Sequence, residues 1–293
     1  MSLNLDSRQR AMLEVMGVTL WQPLAVEEPT AQVKAVIQTT PETIAAYASE
    51  QRPTARFEPK FTAPKPSPTP HQTQSTTLAR NPAIDLVQVA TLDWPTLQTT
   101  VASCQACGLC QGRKTTVFGT GAEQARWLVV GDAPSEADDA QGQPFTDAPG
   151  QLTGQLLDNM LKAVRVARNG TGEQAVFITH ALKCRPPANR NPQPDEIAQC
   201  EPYLRRQVAL IQPHVILALG RVAAQSLLQA TLPEVATLPL GKLRGQVHRY
   251  QGVPVVVSYP PATLLRAPQD KAKAWADLCL AMDVLRQRPA EVT

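Results

Sequence analysis

Residues 126–134, RWLVVGDAP, place four consecutive apolar side chains ahead of a Gly-Asp-Ala-Pro turn. A run this short and continuous, ended by turn residues, reads as a strand buried on both faces that opens into a loop. The pattern recurs in AVFITHALKC (175–184), HVILALG (214–220) and VPVVVSYPP (253–261). Between these runs, TGQLLDNMLKAVRVA (153–167), DEIAQCEPYLRRQVALIQP (195–213) and RVAAQSLLQ (221–229) carry helical periodicity. DLVQVATLDWPTLQTTVASC (85–104) precedes the set as a helix. DKAKAWADLCLAMDVLRQ (270–287) closes it, with Trp275, Leu278, Cys279, Met282 and Leu285 on one face. Strands alternating with helices predict an α/β fold, a three-layer α/β/α sandwich around a central four-stranded parallel sheet. In such sheets ligands bind beyond the carboxyl ends of the strands. The loops starting at Gly131, His180, Gly220 and Tyr259 are therefore where function is expected.

Upstream of residue 86 the composition changes. No glycine occurs between Gly17 and Gly108, and many of the 27 prolines fall in that gap, including the PKPSPTP run at 64–70. Residues 27–85 read as a disordered Pro/Thr-rich linker, because they offer too little apolar surface to offset the entropy of ordering. Residues 1–26 read as a short helix, with Asp6 or Ser7 as the expected cap and Gly17 as the expected end, followed by an extended VTLW. The 293 residues thus divide into a peptide (1–26), a linker (27–85) and a single α/β domain (86–293). With 28 Lys+Arg against 25 Asp+Glu, the net charge of +3 gives no strong overall attraction to nucleic acid or anionic lipid. No apolar run approaches the roughly 18 residues of a membrane span, and MSLNLDSRQR lacks a signal-peptide core. A cytoplasmic protein without membrane contact is expected.

Six cysteines in a reducing compartment point to metal ligands, catalytic groups or packed thiols rather than disulfides. Cys104 and Cys107 form a C-x2-C pair; Cys184 and Cys200 form a second pair across a Pro-rich loop. Four thiolates from two segments suit zinc or an iron–sulfur cluster equally well by ligand chemistry. Cys110 is an alternative ligand, and Cys279 belongs to the apolar face of the last helix.

From about residue 86 the sequence resembles the family 4 uracil-DNA glycosylases, the bacterial and archaeal iron–sulfur type. The matching words are CQACGLCQGRKTTVFGTG (104–121), GDAPSEADDAQGQPF (131–145), GQLLDNML (154–161), LKCRPPANRNPQPDEIAQCEPYL (182–204), VILALGR (215–221) and SYPPATLLR (258–266). The resemblance implies a 4Fe-4S cluster on Cys104, Cys107, Cys184 and Cys200, with Cys110 left over. It also implies Phe145 as the ring that stacks on uracil, beside Gln141, and Leu264, Leu265 and Arg266 as a loop that contacts DNA. Three polar positions depart from the family pattern. Asp132 replaces a Glu, His180 an Asn that reads uracil, and Pro260 a His that donates to the uracil oxygen; proline has no donor to give. Four extra residues separate Phe145 from GQLLDNML. These departures imply that catalysis is lost.

Arg8 to Trp21, RQRAMLEVMGVTLW, resembles the N-terminus of the DNA polymerase III psi subunit, a helix ending in Leu-Gly-Ile-Thr followed after one residue by Trp. That likeness implies Leu13, Met16 and Trp21 as anchors for the clamp-loader motor subunit, with Trp21 the hot spot. Together the two resemblances imply a non-catalytic, psi-like adaptor that links the motor subunit to the chi subunit, and through it to single-stranded-DNA-binding protein, with weak DNA binding of its own. The alternative is an active family 4 uracil-DNA glycosylase of base excision repair with a modified pocket.

Overall fold

A computed structural model describes residues 86–287. The segment 1–26 with Leu13, Met16 and Trp21, the linker 27–85 and residues 288–293 lie outside the described residues. Six strands, β1 (Thr120–Gly121), β2 (Trp127–Gly131), β3 (Val176–His180), β4 (Val215–Leu219), β5 (Val247–Tyr250) and β6 (Val253–Ser258), form one sheet in the order β1-β3-β2-β4-β6-β5. β3, β2, β4 and β6 run parallel, with Val129 opposite both Ile178 and Leu217. β1 and β5 are antiparallel edges.

The four parallel strands expected from the sequence are thus the centre of a six-stranded mixed sheet. Every residue of those four is buried, which is why each reads as an unbroken apolar run. The edges escape such a reading because β1 is two residues long and VHRY of β5 exposes all but its last positions in part. A turn at Gln251 and Gly252, both left-handed with φ of 49° and 79°, folds β5 back onto β6.

The helices are α1 (Leu86–Thr91), α2 (Trp94–Ala102), α3 (Glu136–Gln141), α4 (Thr153–Ala163), α5 (Pro194–Ile211), α6 (Arg221–Leu228), α7 (Leu240–Leu243), α8 (Pro261–Arg266) and α9 (Lys271–Gln287). Side chains alternate across the sheet. Leu128 and Val130 join a core with Leu97, Leu204 and Leu227 of α2, α5 and α6. Trp127 and Val129 join the opposite core with Leu157, Met160 and Leu278 of α4 and α9. This is the three-layer sandwich.

Two local readings change. The first helix is two, because Asp93 leaves the helical conformation and accepts the Thr96 N–H at 3.0 Å, capping α2. The segment carrying Leu264, Leu265 and Arg266 is a helix and not a loop. Pro261 occupies its first position, where a missing N–H breaks no bond. The strand order reverses between β2 and β4, since β3 lies on one side of β2 and β4 on the other. The crevice at the carboxyl ends of β2 and β4 is the switch point where open α/β sheets bind ligands.

Candidate active site

Asp132 follows β2 and turns toward the start of α6, where its Oδ1 accepts the Ala223 N–H at 2.8 Å. Gly220 makes room for it: its φ is +121°, and a Cβ there would lie 2.2 Å from the carboxylate. Burial pushes the Asp132 carboxyl up to about 6, against the opposing pull of the Ala223, Val222 and Arg221 N–H groups.

Asp138 in α3 is the second buried carboxylate. It accepts from the Ser135 N–H at 2.9 Å and from the Thr146 N–H and hydroxyl, both at 2.7 Å; His180 Nε2 lies 3.1 Å away. Burial alone would raise its pKa, but the bonds from His180, Ser135 and Thr146 outweigh that and hold the carboxyl well below the usual range. An ionised carboxylate only accepts, so His180 Nε2 carries the shared proton. Burial lowers the His180 pKa, and Asp138 offsets this only in part. The ring is then neutral at pH 7, and its Nδ1 is a buried lone pair with no protein partner. Asp138 was missed in the sequence, although Ser135-x-x-Asp138 is a capping-box signal that marks it.

Phe145 lies against His180, ring centroids 4.7 Å apart and planes tilted by 35°. Its φ of 52° is rare for a bulky side chain. Arg168 holds this turn by donating to the carbonyls of Pro144 at 2.8 Å and Phe145 at 3.0 Å. A Cβ on Gly131 would come within 2.5 Å of both rings, so β2 has to end in glycine. Nothing local in the sequence marks Arg168 for this task.

These groups open into a cleft of about 820 Å³, within the size range of small-molecule sites. Its far wall is α8, with Pro260, Thr263, Leu265 and Arg266. Leu265 is 37% exposed and Arg266 is exposed beside it, whereas Leu264 is fully buried in the α4/α9 core. Of the three residues expected to touch DNA, Leu264 is therefore structural. Gln141, expected in the pocket, is instead the exposed last residue of α3 and does not line the cleft. The inserted residues after Phe145 bring Leu152, 53% exposed, to the cleft mouth.

A second, smaller cavity is lined by Cys104, Cys107, Cys110, Cys184 and Cys200, with Arg113, Lys183 and Tyr203. Arg113 donates to Cys184 Sγ at 3.2 Å, and the Lys183 N–H to Cys200 Sγ at 3.4 Å. Burial pushes the Cys184 thiol up to about 11 and the Cys200 thiol up to about 12. Among the described residues, no three His, Cys, Asp or Glu side chains converge as a single ion requires.

Residues 118–279 match the model of the uracil DNA glycosylase superfamily. The chain belongs to this superfamily. It is 35% identical over 193 residues to the type-4 uracil-DNA glycosylase of Saccharolobus solfataricus, covering 64% of this chain and 85% of that one. The type-4 enzyme of Archaeoglobus fulgidus is 38% identical over 173 residues, 58% of this chain and 81% of its own. That of Pyrobaculum aerophilum is 34% identical over 193 residues, 64% of this chain and 93% of its own. The matched residues span all six strands of the sheet and include Asp132, Phe145 and His180.

The non-catalytic clamp-loader adaptor expected from the sequence is overturned by these matches. Relatives named as glycosylases align over 85%, 81% and 93% of their own length. The three departing positions, Asp132, His180 and Pro260, lie within the matched residues, and Phe145 lines the same cleft. Among the described residues no helix is long and apolar enough to cross a membrane.

Proposed function

We propose that the chain hydrolyses the N-glycosidic bond of uracil in DNA, as an active type-4-like glycosylase of base excision repair with a modified pocket. The observation that carries this reading is the meeting of Phe145 and Asp132 in one cleft at the switch point of the sheet. Its similarity to type-4 uracil-DNA glycosylases supports the same conclusion.

A uracil taken out of the stack needs a ring to lie on and a base for water. As a water oxygen bonds to C1′ of the sugar, its proton passes to Asp132 and the C1′–N1 electron pair leaves with the uracil. Asp132 suits this task because its pKa is about 6. Asp138 does not, since its hydrogen bonds hold it firmly ionised. Pro260 gives the departing base no donor. The Thr263 hydroxyl and Arg266 guanidinium are the donors that α8 presents instead. Losing one oxyanion donor costs about 2.7–4 kcal/mol, so turnover is slow compared with an enzyme that has the full set. The His180 imidazole rests against Phe145 and leaves less of that ring for a base.

The same reading assigns a 4Fe-4S cluster to Cys104, Cys107, Cys184 and Cys200, supported by the cavity they share and by Arg113 beside it. When bound, the cluster supplies a covalent tie between the segment before β1 and the segment after β3. Cys110 remains free of that role.

The test uses full-length, metal-loaded protein on oligonucleotides with one uracil, single-stranded and paired. Alkali-sensitive abasic sites are expected at the uracil and nowhere else, and Asp132→Asn is expected to abolish them. Absence of such sites on both substrates at enzyme excess would sink the reading.

A further inference from the structure

Among the described residues three large apolar side chains are exposed: Leu152 at 53%, Val247 at 43% and Leu265 at 37%. Val247 lies on the edge strand β5, but Leu152 and Leu265 both line the cleft. A single exposed leucine needs no explanation, whereas two of three gathered on one cleft mark a binding surface. Leu152 comes from the turn that opens α4 and Leu265 from α8, and these helices pack together over a core that holds Leu156 and Leu264. The loop that carries Leu152 is held in place. Asp147 accepts the Gly154 and Gln155 N–H groups at 2.7 and 2.9 Å, the Gln151 N–H donates to the Ala148 carbonyl at 2.9 Å, and Gly150 turns the chain with φ of 79°. Gly154 lies so close to the Phe145 turn that a Cβ there would be 2.3 Å from the Phe145 carbonyl oxygen. Arg168, which donates to that carbonyl, also bonds Asp158 of α4 at 2.5 Å. Leu152 therefore stands at a set place relative to the Phe145 ring, and a contact already in position costs little ordering entropy when a ligand meets it.

We propose that Leu152 is a second DNA contact, which packs on the face of the nucleobase next to the extruded uracil in the same strand. The inference rests on the reading of the cleft as a uracil site and goes further by giving the inserted residues a ligand. Base faces are apolar, and Arg266, exposed on the same cleft, supplies a cation for the phosphates that join them. Two leucines and a guanidinium around one cleft fit a nucleic acid strand, in which apolar bases alternate with charged backbone. Because the loop leads directly from the stacking ring, Leu152 borders the point where the flipped nucleotide leaves its own strand. Its contact is made whether that strand is single or paired, unlike the one expected of Leu265.

The experiment uses full-length, metal-loaded wild type and Leu152→Ala on single-stranded oligonucleotides with one uracil. One oligonucleotide has ordinary bases on both sides, and two others carry a tetrahydrofuran abasic unit in place of the 5′ or the 3′ neighbour. With ordinary neighbours, Leu152→Ala is expected to raise KM about fivefold or more and to leave kcat near wild type, as the loss of a contact made equally before and during reaction requires. On one of the two abasic strands the wild-type KM should rise to that of Leu152→Ala, because the base that Leu152 meets is gone. Equal KM for the two proteins on the ordinary strand would overturn the proposal. So would a difference that persists with either neighbour removed, since that would place the effect of Leu152 inside the protein. Both results leave the glycosylase reading standing, because uracil would still be released. Wild type that releases no uracil from any of the strands would remove that reading and this contact with it.

Discussion

Asp132 meets opposite demands from folding and from catalysis. Its carboxyl is raised from 3.8 to about 6, so the native state binds a proton that the unfolded chain has released. The stability it contributes is full below about 3.8 and is lost as pH rises through about 6. Base catalysis needs the ionised form, so uracil release should rise through that window and level off above it. Asp132→Asn is expected to flatten the stability trend in thermal melts from pH 4 to 8 and to remove the activity. At His180, replacement by Asn takes the imidazole off Phe145 and offers both a donor and an acceptor. His180→Asn should therefore raise uracil release by about tenfold or more, and a fall would show that the imidazole itself works in the pocket. Asp138→Ala leaves buried donors of Ser135, Thr146 and His180 without an acceptor and should cost about 2 kcal/mol or more in denaturant unfolding. Asp132, Phe145 and His180 could be located from the sequence because they follow strand ends or sit in recognisable words. Arg168 could not, because its task is to grip carbonyls 23 and 24 residues away.

Helix α8 forms one wall of the cleft and carries the exposed Leu265 and Arg266. An apolar side chain at the mouth of a base pocket assists extrusion from a duplex and is idle when the strand is already single. Leu265→Ala is expected to slow release from paired uracil while leaving the single-stranded rate nearly unchanged; equal losses on both substrates would contradict this. Arg266→Gln, if the guanidinium meets a phosphate, should lower the salt slope of DNA binding by about one unit in a titration of affinity against salt. The family resemblance made Leu264, Leu265 and Arg266 part of a loop, behind the two prolines 260 and 261 that start α8. At the first turn of a helix, however, they remove only an N–H that has no partner. Residues 85–104 gave the reverse error: apolar periodicity continued across Asp93, where a cap divides two helices.

Over the whole molecule, the central strands were legible because burial on both faces leaves no polar position to blur them. The edge strands were not, since β1 is too short for a pattern and β5 is largely exposed. The function was obscured for a different reason. Changed polar side chains at Asp132, His180 and Pro260 suggested lost catalysis, whereas the superfamily match runs across the entire sheet. All the residues assigned to that cleft lie within 132–266, so a chain beginning at residue 86 should release uracil at the full-length rate. The most direct trial of the central claim is detection of free uracil by mass spectrometry after one turnover of metal-loaded protein on single-stranded uracil DNA. Free base in step with abasic sites is expected from wild type and not from Asp132→Asn. No free uracil from wild type, or equal amounts from both proteins, would contradict the claim that this cleft excises uracil.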